Sequence, residues 1–122
     1  MPDYSKGKIY KIVDLTNNNV YVGSTTQKLN IRLSKHKYDY KRYLDGKYNF
    51  VRSFKIIKNE NYYIELIEKF ECDCKEELFK REGYYAEKLK KKFNVVNKYV
   101  AGNYICKTKQ EYYKERYNNS KK

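Results

Sequence analysis

Between Lys8 and Gly23 two short apolar runs, KIYKIVDL and VYVG, flank the polar stretch Thr16-Asn17-Asn18-Asn19. Two apolar runs around so short a polar break read as an antiparallel hairpin. Asparagine suits the break, because it enters the left-handed backbone region more readily than most residues. Each run carries one tyrosine at a matched place, Tyr10 and Tyr21. Either tyrosine can be an ordinary strand former. Together they can equally be a pair aimed at a common target.

After the hairpin the apolar period changes. In STTQKLNIRLSKHKYDYKRYL, Leu29, Leu33, His36, Tyr40 and Tyr43 recur at helical spacing, with Thr25 or Thr26 as N-cap and Gly46 as the end. YNFVRSFKIIKN offers Phe50, Phe54 and Ile57 to one face of a second, short helix. NYYIELIEKFE alternates, with Tyr62, Ile64, Leu66 and Phe70 on one side, and reads as a third strand. CKEELFKREGYYAEKLKKKF is a third helix with Leu78, Tyr85, Leu89 and Phe93 along one stripe, after which NVVNK runs extended. The expected architecture is a mixed α/β (α+β) domain over residues 1–101, with a small three-stranded, mostly antiparallel sheet flanked by helices. From 102 to 122 the composition turns basic and tyrosine-rich, and a partly helical tail is expected there.

Composition limits the function classes. The chain of 122 residues suits one domain, and its apolar share of 40% allows a modest core. No run approaches the ~20 apolar residues of a membrane span, and MPDYSKGKIY lacks a signal-peptide core. A soluble intracellular protein, away from membranes, is therefore expected. Cys72, Cys74 and Cys106 do not form a zinc-ligand spacing with the single histidine, so free thiols in a reducing compartment are expected. The net charge of +13 favours a polyanionic partner, nucleic acid first. The abundance of Lys, Asn, Tyr and Ile also fits AT-rich coding, and only 5 of the 28 basic residues are arginine.

Two helices carry polar groups where packing expects apolar ones. His36 lies on the first helix's apolar stripe, with Arg32 one turn before it. Glu82 lies between Leu78 and Tyr85 on the third, followed by Gly83, where glycine costs ~1 kcal/mol relative to alanine and suggests close backbone approach. His36 can be a bonded core residue, and Arg32 with Glu82 a structural ion pair. The whole set suggests convergence of Tyr10, Tyr21, Arg32, His36 and Glu82 on one side of the sheet. Arginine matches a phosphate, glutamate a hard divalent cation, and a tyrosine near a base a proton transfer.

These residues resemble the GIY-YIG nuclease family. KIY at Lys8–Tyr10 stands for the first signature, with lysine for glycine, and YVG at Tyr21–Gly23 for the second, with valine for isoleucine. Arg32, His36, Glu82 and Asn97 follow in the family's order, over about Lys6 to Lys98. The resemblance implies an endonuclease that hydrolyses DNA phosphodiesters with one divalent metal, magnesium or else manganese, held by Glu82. It implies Arg32 at the nonbridging oxygens and Tyr10 as general base, relayed to a neutral His36. Tyr21 would position water or phosphate and could exchange roles with Tyr10. Gly23 would be supporting, and Asn97 would anchor the Glu82 helix. The rival expectation is a non-catalytic nucleic-acid module using the same basic, tyrosine-rich cleft. A further rival is an interaction protein built on the tail. Oligomeric state stays open between monomer, homodimer and a complex whose partner supplies specificity.

Overall fold

The structure, a computed structural model, describes residues 3–97. The expected tail and Cys106 lie outside the described residues. A single 3₁₀ turn, Tyr4–Lys6, leads into β1 (Lys8–Asp14) and β2 (Asn19–Thr25), followed by α1 (Leu29–Leu44) and α2 (Phe54–Ile57). Then come β3 (Tyr62–Lys69), α3 (Lys75–Lys90) and β4 (Asn94–Val95). The strand order is β3-β1-β2-β4. The sheet has four strands rather than the expected three, because NVVNK does more than extend. Its β4 pairs in parallel with β2, Asn19 opposite Asn94 and Val20 opposite Val95.

The hairpin closes as its sequence requires. Asn18 takes φ 62°, and its N–H donates to the Asp14 carbonyl at 2.8 Å. Asp14 itself is buried, with Oδ1 accepting from Thr16 N–H at 2.8 Å and Oδ2 from Asn59, which follows α2, at 2.6 Å, so both oxygens are bonded.

The two faces of the sheet hold separate cores. Ile9, Val13, Val20 and Val22 pack against Leu78 and Ala86 of α3. On the other face Tyr10 and Ile12 pack with Ile56 of α2, supported by Tyr21, Leu29 and Leu33. Alternation along β1 and β2 sorts the side chains onto these two layers.

Three local expectations are corrected. Thr25 ends β2, and Thr26 does not cap α1. Lys28 is the N-cap, without a side-chain bond, while Thr25 Oγ1 accepts from Gln27 N–H at 3.0 Å. Phe50 precedes α2 rather than joining it. The alternation of β3 does not run through, because the pairing with β1 jumps from Ile9 opposite Glu68 to Tyr10 opposite Leu66. The extra residue, Ile67, is a bulge that flips the parity. Tyr62 and Ile64 therefore face the α1–α2 layer, whereas Ile67 and Phe70 join the α3 layer. Leu66 is left 37% exposed.

Candidate active site

Tyr10 points from β1 across its neighbour on β2, which is Gly23. A Cβ on Gly23 would overlap the Tyr10 ring, so glycine here is a matter of space. The Tyr10 hydroxyl then reaches α1. It lies 2.8 Å from His36 Nε2 and 3.3 Å from Arg32 Nε. His36 Nδ1 lies 2.9 Å from the hydroxyl of Ser53, just ahead of α2.

The donors in this chain can be assigned. Arg32 Nε–H can only donate, so the phenolic oxygen accepts from it. The phenolic hydrogen then needs an acceptor, and the unprotonated Nε2 of His36 supplies one. That leaves the proton of His36 on Nδ1, donating to Ser53. Charges agree with this tautomer. Burial first, then the neighbouring Arg32 charge, lower the His36 pKa from 6.5 to about 3, so the ring is neutral. Burial raises the Tyr10 pKa, against the opposing pull of Arg32. Tyr10 and Ser53 are 0% exposed, and His36 4%.

Tyr21 lies on the same layer, its ring edge-on to His36 at 5.5 Å between centroids, and it is half-buried rather than enclosed. It is also close enough to Arg32 for the guanidinium charge to act on it.

Glu82 belongs to the other layer. Its Oε1 accepts from the Ser24 hydroxyl at 2.7 Å, and Ser24 shares the Ile9 face of the sheet. Convergence on one side of the sheet is thus corrected. Tyr10, Tyr21, Arg32 and His36 share the α1 side, and Glu82 reaches them from the α3 side. A structural Arg32–Glu82 ion pair is absent among the described residues. Arg32 is bonded to Tyr10, and its charge acts on Glu82 only over a longer range. Burial is the main force on Glu82, raising its pKa from 4.5 to about 7 against the Ser24 bond and the Arg32 charge. One cleft of about 570 Å³ is lined by Arg32 and by Ser24, the partner of Glu82, together with Lys6 and Lys75.

Asn97 does not anchor the Glu82 helix. Its side chain clamps Val22 of β2, accepting from the N–H at 3.0 Å and donating to the carbonyl at 2.8 Å. It thereby fixes the strand one residue before Gly23. Lys8, standing at the departed signature position, donates to the Lys6 carbonyl at 3.0 Å and stays clear of the chemistry. Ser24 and Ser53 were not expected from the sequence. Ser24 directly follows the YVG run, which is a usable signal; Ser53 carries none.

The donor set suits one kind of metal. Among the described residues no three His, Cys, Asp or Glu side chains group as ligands. A single carboxylate fits magnesium or manganese, ions that keep waters and share a substrate phosphate. It does not fit a closed structural zinc site. Cys72 and Cys74 are free thiols, and burial pushes Cys72 up to about 11.

No family model matches the chain, and no curated protein does. Solved structures do. A mutant of the catalytic domain of intron endonuclease I-TevI matches with TM-score 0.60 at 23% identity, covering 78% of this chain and 95% of that one. A structure of the catalytic domain of homing endonuclease I-TevI matches with TM-score 0.59 at 23% identity, covering 77% and 99%. The chain therefore shares the fold of that catalytic domain, a GIY-YIG fold, as the signature residues led us to expect.

Proposed function

We propose that this chain is a divalent-metal-dependent DNA endonuclease, hydrolysing phosphodiester bonds at the cleft lined by Arg32 and by Ser24, the partner of Glu82. The observation that carries this reading is that an arginine held by a buried tyrosine–histidine chain lines the same cleft as Ser24, the serine bonded to the Glu82 carboxylate. The fold shared with an endonuclease catalytic domain supports it.

Glu82 would hold the ion, magnesium or manganese, which when bound supplies charge neutralisation at the phosphate and at the departing 3′ oxygen. Arg32 donates to the nonbridging oxygens as their charge grows. Its Nε is already committed to Tyr10, so the guanidinium is oriented before substrate arrives. Water attacks phosphorus, the bond from phosphorus to the 3′ oxygen breaks, and one proton must leave the water. Tyr10 is enclosed, and its hydroxyl is engaged on both sides. We therefore assign the general base to Tyr21 acting as the phenolate, which the nearby Arg32 charge favours: it takes the proton of the attacking water, becomes the phenol, and releases that proton to solvent between turnovers. Tyr10 and His36 have the task of holding Arg32. A neutral His36 suits that task, since a second cation beside Arg32 would weaken the latter's hold on its partners.

Incubating supercoiled plasmid with the protein, with magnesium or with chelator, tests the reading. Nicked or linear product only with magnesium is expected. Intact plasmid under both conditions, together with tight DNA binding, would favour the non-catalytic nucleic-acid module instead.

A further inference from the structure

The C-terminal half of α1 and the loop after it present aromatic rings to solvent. Tyr38 is 60% exposed, Phe50 48% and Tyr48 37%. Phe50 and Tyr48 rest one side against the buried Phe54 ring, and the surface they leave open, together with Tyr38, is an exposed aromatic patch of the kind found at binding surfaces. The patch is already organised. The Arg42 guanidinium lies over Tyr48 at 5.2 Å and over Tyr38 at 5.9 Å, and donates to the Lys47 carbonyl at 3.3 Å. Arg52 lies over Phe50 at 5.9 Å. From Lys35 to Lys55 the sequence has seven basic residues against Asp39 and Asp45, and Asp39 is already paired with Lys35 at 3.0 Å.

We propose that this surface docks an unpaired nucleic-acid strand, its bases stacked on Tyr38, Tyr48 and Phe50 and its phosphates held by Arg42 and Arg52. The charge selects a polyanion, and the rings select within that class. Bases in a duplex already stack on one another, so only an unpaired base can offer its face to a tyrosine. Placement fits a substrate that also reaches the cleft. Arg32 and Arg42 are ten residues apart on α1, about 15 Å of helix rise, which spans roughly four to five nucleotides at duplex spacing. The inference rests on the nuclease reading for its register and deepens it. The substrate would be DNA with an unpaired stretch a few nucleotides from the cut.

The test is fluorescence anisotropy with a short labelled oligothymidylate and a duplex of equal length, in chelator so that no cutting occurs. The wild-type protein should prefer the single strand. Tyr38→Ser and Tyr48→Ser should each weaken that binding about 5- to 150-fold, the range expected for one lost stacked base, with unchanged melting temperature for Tyr38→Ser and with both variants assayed well below their own melting temperatures. Tyr38→Phe and Tyr48→Phe, which keep the ring, should retain it. Equal affinity for both ligands, or serine variants that bind normally, overturns the inference. So does a dimer in sedimentation that Tyr38→Ser dissolves, since the patch would then belong to a second copy. Single-strand binding that is lost in the serine variants upholds this surface even if magnesium yields no cleavage, which would remove only the nuclease reading. Magnesium-dependent cleavage with unaltered binding in the variants removes only this inference.

Discussion

Replacing Glu82 with glutamine should stabilise the protein, and more so as pH rises. The carboxyl's pKa goes from 4.5 to about 7 on folding, mainly through burial. A raised carboxyl pKa means that its contribution is fully favourable below the unfolded value and is lost as pH rises through the folded value. At ~1.4 kcal/mol per tenfold, holding the ionised form in the fold costs on the order of 3 kcal/mol above about pH 8. Glutamine keeps the shape and can still accept from Ser24, but carries no charge. Glu82→Gln should therefore match wild type near pH 4 and exceed it by up to ~3 kcal/mol at alkaline pH. For a domain of this size that is a rise in melting temperature of about 10–20 °C. Melting curves followed by circular dichroism across this pH range measure it. Magnesium should raise the wild-type melting temperature in alkaline buffer and leave the variant unmoved, since only an ion bound to the native state stabilises it. A variant whose melting temperature runs parallel to wild type at every pH would refute the electrostatic account. One that melts below wild type throughout would show Glu82 to be a structural partner.

His36 carries the opposite linkage: its pKa is lowered on folding to about 3, so its contribution is present above 6.5 and lost as pH falls toward 3. Between about pH 4.5 and 6.5 the Glu82 and His36 slopes oppose each other, so wild-type stability should be flatter there than that of Glu82→Gln, which should fall on acidification; melts of the two proteins over that window check this. Tyr21→Phe should slow cleavage ~10²–10⁴-fold, and Tyr10→Phe, which strands His36 Nε2, should lose ~1–3 kcal/mol of stability, measured by single-turnover cleavage and urea titration. Gly23→Ala should destabilise by ~1–3 kcal/mol, because its methyl meets the Tyr10 ring; the same urea titration reads it. DNA affinity should fall steeply between low and physiological salt, with a gentler slope in Arg42→Gln, and anisotropy at several salt concentrations would expose a flat response.

Much of this was legible in one dimension. The NNN turn specified the hairpin, because Asn18 is the residue that must turn left-handed. The period of 3.6 located α1 and α3, and polar residues on those apolar stripes pointed to His36, Arg32 and Glu82. What could not be read were relations through the sheet. Strand alternation places Tyr10 and Ser24 on opposite faces, so Tyr10 and the Ser24-bonded Glu82 could not share one side. A bulge such as that at Ile67 is fixed by pairing between strands and has no mark in β3 alone. The role of Asn97 followed from β4 lying parallel to β2, a contact between residues about 75 positions apart. The burial of Tyr10, which moves the proposed base to Tyr21, depends on Gly23 opposite it and on α1 above it.

The most direct test of metal-dependent hydrolysis at this cleft is the single-turnover rate of DNA cleavage in magnesium by wild type and by Glu82→Gln, each first shown to be folded by its melt. The account predicts measurable cleavage by wild type, none by the variant, and equal or tighter DNA binding by the variant, since one negative charge has left a basic cleft. A folded Glu82→Gln protein that cuts at the wild-type rate would contradict it.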